Sequence, residues 1–185
     1  MKKICIFLIL LLAISGCKNK TPDFDSGFTI ETYQCDMSAY DGMSSTNHHF
    51  LGTTVDELEK TLDEKGYGIF VLSYTTCPHC KVLMQYMEKA AEELDVYIYY
   101  LDAYSERYPI MGTDDFDKLF ELIKPVCEEV DGELGMQTPT LFTIIDGEFI
   151  SYKIGADYEG TTPTEKEAEK ITKEYLEIMK PFSKQ

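Results

Sequence analysis

Cys77-Pro78-His79-Cys80 follows the apolar run Gly68-Ile69-Phe70-Val71-Leu72-Ser73-Tyr74 and opens a segment with helical periodicity. The run is rich in β-branched and aromatic residues and polar only at Ser73, which predicts a strand. Pro78 suits a first helical position, because the N–H it lacks would have no partner there. Beyond it, Cys80, Leu83, Met84, Met87, Ala91 and Leu94 share one face of a helix. The two thiols therefore sit where a strand runs into a helix, and a pair at that spacing can open and close as a disulfide.

The placement separates the roles of the two sulfurs. Free N–H groups and the macrodipole at a helix N-terminus favour negative charge. Cys77 is accordingly expected to be a stabilised thiolate, with a pKa below the ~8.5 of a free cysteine. Cys80 lies on the apolar face and is expected to be buried. Cys77 is read as the exposed nucleophile and Cys80 as the resolving thiol, with His79 placed to donate to the Cys77 thiolate or to favour it electrostatically. Stabilising the thiolate stabilises the dithiol and makes the disulfide a stronger oxidant. Two other uses stay open on the residues alone: half of a zinc site, which normally needs a second Cys or His pair, and an inert structural bridge. In the redox reading the cysteines carry the electrons, so neither a metal nor an organic cofactor is expected.

Lys2 and Lys3 precede an apolar run from Ile4 to Ile14, and Ser15-Gly16-Cys17 follows. Charged, apolar and small-residue zones in that order describe a secretory signal. The run is shorter than the ~20 residues a bilayer span takes. Ile14-Ser15-Gly16-Cys17 also has the form of a bacterial lipobox, in which the cysteine is acylated and becomes the mature N-terminus; an ordinary signal peptide is the alternative. Residues 1–16 are thus expected to be a lipoprotein signal and Cys17 the lipidation site. Residues 17–47 are expected to form a lipid-anchored tether and N-terminal extension, and residues 48–185 the folded domain. The mature chain would then work on the outer face of the cell membrane, where disulfides persist. Cys35 and Cys127 remain; they either close a structural bridge worth about 2–4 kcal/mol or stay as two thiols.

The formal net charge of −16 argues against nucleic acid, or anionic lipid bound through charge, as a partner. With 44% hydrophobic and 12% aromatic residues the chain can build a core and is not a disordered one. Thr54 and Glu57 form a capping box before the helical positions Val55, Leu58 and Leu62. Residues 96–101 predict a second strand, and residues 102–112 a loop. Phe116, Leu119, Phe120 and Ile123 predict a helix stopped by Pro125. Residues 140–145 and 149–154 read as a hairpin through Asp146-Gly147. A last helix carries Ala168, Ile171, Tyr175, Leu176 and Met179, entered after Thr164. The expected class is α/β: a mixed central sheet with helices on both faces.

Two separated motifs give this order a resemblance to the thioredoxin superfamily, over roughly residues 48 to 180. One is Cys77-Pro78-His79-Cys80-Lys81 after a strand; the other is Thr138-Pro139-Thr140-Leu141, continuing to Gly147-Glu148 and Gly155-Ala156. The resemblance implies a thioredoxin-like three-layer fold. It implies a cis Pro139 facing the cysteine pair, and a Thr138 whose main chain pairs with an extended substrate beside the reactive sulfur. Thr76 would line the rim of the site with Tyr74. The chain departs from the family at Thr76, where an aromatic residue is usual, and at Val71, where a buried acid usually stands, so a proton acceptor for Cys80 has to come from elsewhere, with water as the candidate. The Pro-His dipeptide resembles that of extracytoplasmic disulfide oxidases, and the chain is also similar to bacteriocin-transport accessory proteins. The implied activity is thiol–disulfide exchange with secreted or surface proteins, reset by a redox partner in the membrane. The alternative is a binding or accessory protein for peptide export with little turnover.

Overall fold

The apolar run at 68–73 becomes the middle strand of a five-stranded sheet in the computed structural model of the chain, which describes residues 27–183. The signal, the lipidation of Cys17 and the first part of the tether fall on residues 1–26 and lie outside the described residues.

The sheet is built from β1 (Phe50–Gly52), β2 (Gly68–Ser73), β3 (Ile98–Asp102), β6 (Thr140–Ile145) and β7 (Glu148–Ile154), in the order β1-β3-β2-β6-β7. β1, β3 and β2 run parallel, and β6 and β7 are antiparallel. Every residue of β2 is buried, as a strand covered on both faces requires. Between β1 and β2 lies α1 (Val55–Asp63), capped by Thr54, whose side chain accepts from the Glu57 N–H. α2 (Pro78–Leu94) joins β2 to β3, and α3 (Asp114–Ile123) precedes a 3-10 turn at Lys124–Val126. α4 (Glu165–Met179) closes the chain behind a reciprocal capping box of Thr164 and Glu167.

Strand alternation sorts the core into two layers. Ile69, Val71, Ile98, Tyr100 and Leu141 meet α2 and α4 on one face. Phe70, Leu72, Leu101, Phe142 and Ile144 meet α1 and α3 on the other. This is the three-layer thioredoxin-like α/β fold.

The structure corrects or completes the expectations at three points. The domain does not begin at residue 48, because Met37 and Tyr40 of the expected extension are buried in the α2–α4 layer and Tyr33 pairs with Gly52 beside β1. Beyond α3 and Pro125 the structure adds an element that no sequence signal marked: β4 (Glu128–Val130) and β5 (Glu133–Gly135) form a small separate hairpin. Cys35 and Cys127 do not form a bridge. Both are free thiols; Cys35 packs in the α2–α4 layer and Cys127 against the α1–α3 layer, so the sheet lies between them.

Candidate active site

β2 ends at Ser73, and a short turn in which the Cys77 N–H donates to Tyr74 O at 3.2 Å delivers Cys77 to the N-cap of α2. Its Sγ accepts the Cys80 N–H at 3.2 Å. Pro78 takes the first helical turn, where its missing N–H costs nothing. Cys80 then falls one turn along, on the face of α2 that enters the core.

The second half of the site comes from the segment entering β6. The Thr138–Pro139 peptide is cis, as the family resemblance implied. Thr138 lies against the first sulfur: its hydroxyl donates to Cys77 Sγ at 3.5 Å, and its carbonyl oxygen is 3.7 Å from the same atom. Strand pairing of β6 with β2 holds the two halves together, through pairs such as Leu72 with Thr140.

Donors converge on Cys77. The Cys80 thiol contributes most, followed by the Thr138 hydroxyl and the N–H groups of Cys80 and His79; together they overcome burial and hold the Cys77 thiol well below its ordinary value. Cys80 moves the other way. It gives its proton to the hydrogen bond with Cys77 and is buried, and both effects push its pKa up. The arrangement thus holds one sulfur as a thiolate and the other as a thiol at neutral pH.

Two site expectations change in detail. Cys77 is not an exposed sulfur: it is 4% exposed, against 0% for Cys80, because Thr138 covers it. Thr76, Pro78 and His79 around it are exposed and form the rim. His79 faces the thiolate with its main-chain N–H, not its ring. The imidazole Nδ1 lies 3.3 Å from the Tyr158 hydroxyl, with the rings edge to face. Tyr158 sits in the loop after β7, a polar stretch in which nothing marks it as a neighbour of the cysteines. Tyr74 stacks edge-on with Tyr104, and Lys81 is exposed on α2. His48 and His49 bond elsewhere, to Cys35 O and to Glu88. Among the described residues no group of three or more His, Cys, Asp or Glu side chains is placed to hold a metal ion.

Fold and site together define the class: a thioredoxin-like domain with a Cys-x-x-Cys pair at the N-terminus of α2 and a cis proline against it. No family model matches the chain, and no curated protein does. Solved structures that resemble it include thioredoxin O2 from Arabidopsis thaliana (16% identity, covering 76% of this chain and 100% of that one, TM-score 0.44). The thioredoxin from Aeropyrum pernix is another (23% identity, 74% and 91% covered, TM-score 0.38). The germline-specific thioredoxin Deadhead from Drosophila melanogaster is a third (16% identity, 68% and 94% covered, TM-score 0.40). At such identities and scores, the fold assignment stands on this chain's own strand order and helix placement.

Proposed function

We propose that the protein is a membrane-anchored, extracytoplasmic thiol–disulfide oxidoreductase that exchanges disulfides with secreted or surface proteins. The observation that carries this reading is the geometry of the pair: Cys77 Sγ at the N-cap of α2 accepts the Cys80 N–H and the Thr138 hydroxyl beside the cis Pro139, and Cys80 is buried one turn further on. Cys77 attacks one sulfur of a substrate disulfide. A mixed disulfide forms, and the substrate's other sulfur leaves as a thiolate. Cys80 then attacks Cys77 Sγ and releases the second substrate sulfur, leaving the Cys77–Cys80 disulfide. The substrate gains the electron pair, and the protein is reset by a redox partner, which the reading places in the membrane. Run in reverse, the same steps oxidise a substrate dithiol. Thr138 is assigned to substrate binding beside Pro139, with its main chain alongside the extended peptide. The pattern around Cys17 supports the lipid anchor.

Trapping tests both parts at once in a bacterium that processes lipoproteins. Cys80→Ser should accumulate covalent Cys77–substrate adducts in the membrane fraction, and Cys77→Ser should accumulate few. Adding Cys17→Ala to Cys80→Ser should release the adducts from the membrane. Equal trapping by the two variants would refute the roles of the sulfurs, and no trapping by either would favour the binding or accessory alternative.

A further inference from the structure

Val71 leaves the resolving thiol without a carboxylate beside it on β2, yet Cys80 has a polar neighbour. The side chain of Ser73 acts on its sulfur as a donor and favours the Cys80 thiolate. Ser73 Oγ, fully buried at the end of β2, lies 3.2 Å from Tyr40 Oη. Tyr40 Oη lies 2.7 Å from Tyr100 Oη. Asp102 stands two residues further along β3 on the same face, and the Tyr100 hydroxyl favours its ionised carboxylate. Ser73 and Asp102 are register partners in the β2–β3 pair, so the row of hydroxyls spans two adjacent strands and closes through Tyr40 from the N-terminal segment. Each hydroxyl has one proton to give and a lone pair to accept with. In the dithiol Cys80 gives its proton to Cys77; once Cys77 is held in a mixed disulfide, either partner can donate in the two middle bonds, and the row can turn to run from Cys80 through Ser73, Tyr40 and Tyr100 to Asp102.

We propose that Asp102 is the proton acceptor for Cys80 during resolution of the mixed disulfide, reached through the hydroxyls of Ser73, Tyr40 and Tyr100. The proposal rests on the exchange reading above. In the step, the Cys80 S–H proton passes to Ser73 while each hydroxyl hands its own proton onward, and the last one arrives on the Asp102 carboxylate. The Cys80 thiolate attacks Cys77 Sγ, the Cys77–substrate S–S bond breaks, and the substrate leaves as a thiolate that takes its proton from water. The protein is oxidised by one electron pair and the substrate is reduced by the same pair. Asp102 is only partly buried, so the proton has a way out to solvent; its Oδ1 also accepts the Tyr104 N–H at 3.1 Å.

The groups around the two ends of the row agree with this direction. Burial raises Asp102 above the ordinary carboxylate value, which makes it a better base than a solvated aspartate. The titratable neighbours that feel its charge are Tyr33 and Cys35 on the N-terminal segment, besides Tyr40 and Tyr100. Arg107, from the following loop, lies over the rings of Tyr33 and Tyr108. At the other end Cys80 faces Cys77, Tyr40 and, from α4, Tyr175.

The test separates the two sulfurs in time. Reduced protein mixed with less than one equivalent of 5,5′-dithiobis(2-nitrobenzoate) releases one thionitrobenzoate when Cys77 attacks and a second when Cys80 resolves the adduct. Asp102→Asn and Tyr40→Phe, each nearly isosteric, should slow the second release by at least about tenfold. Both should also remove the inflection that Asp102 gives its pH profile, leaving a rate that simply rises with hydroxide, while the first release stays within about twofold. Circular dichroism checks that both variants are folded. The proposal is overturned if either variant keeps the wild-type rate and pH profile of the second release, or if both releases slow together. Failure of the exchange reading looks different: the wild type itself then gives no second release, and the relay falls with it.

Discussion

Cys77 and Cys80 are three positions apart in sequence, yet they prefer opposite protonation states, and the difference has a consequence for stability. Cys77 is depressed in the folded dithiol, so its ionisation stabilises the reduced folded chain. That contribution is complete above the ordinary thiol value of 9.0 and is lost as pH falls through the lowered one. Cys80, held neutral, subtracts stability only as pH rises past the ordinary value. The disulfide form has neither group, and the remaining titrating groups are common to both forms. Raising the pH from about 5 to about 8 should therefore raise the Tm of the reduced protein relative to the oxidised one. A Tm difference that is flat over that window would mean that Cys77 is an ordinary thiol. At this scale much was legible in the sequence, because a thiol's position relative to a helix start is a local property. The partners of the row behind Cys80 were not. Tyr40, Tyr100 and Asp102 read as core or surface residues until the strand register and the N-terminal segment bring their side chains together.

The two Asp-Gly hairpins show what local signals carry and what they omit. Asp146 and Gly147 have φ of 56° and 75°, and Asp131 and Gly132 have φ of 54° and 86°; both pairs turn through the left-handed region. The first hairpin was legible because apolar strands flank it. The second carries no such signal, because its flanks, Glu128–Val130 and Glu133–Gly135, are short, acidic and almost wholly exposed, so no buried face imposes a period of two. The two glycines also differ in surroundings. A Cβ at Gly147 would strike the main-chain oxygen of Leu62 in α1, and the Gly147 N–H donates to Gly66 O at 3.0 Å, so this turn is docked on the body of the domain. A Cβ at Gly132 meets nothing. Gly132→Ala should cost only the left-handed backbone, about 1 kcal/mol. Gly147→Ala should cost at least about 2 kcal/mol, because a backbone atom has to move as well. Urea midpoints compare them directly, and equal losses would contradict the docking of the β6–β7 turn.

At the scale of the whole molecule, the boundary of the domain is the part that periodicity could not supply. Residues 27–47 contain no long apolar repeat, and their buried side chains come singly, as Met37 (0% exposed) and Tyr40 (2%). Their surroundings show that they belong to the fold. Gly52 of β1 has no room for a side chain because the Tyr33 ring lies on it, and the Asp41 N–H donates to Lys81 O at 2.9 Å on α2. Burying a large apolar side chain stabilises a fold by about 1.5–3 kcal/mol, so Met37 and Tyr40 together contribute roughly 3–6 kcal/mol. Against a typical total of about 5–15 kcal/mol this decides whether the domain is stable. A chain starting at residue 27 should unfold cooperatively. A chain starting at residue 48 should melt at least about 10 °C lower or bind hydrophobic dye as an incompletely packed state. Equal melting of the two would show the segment to be a covering only. The same truncation removes Tyr40 from the row between Cys80 and Asp102, so even where the shorter chain folds, its second thionitrobenzoate release should lag as that of Tyr40→Phe does.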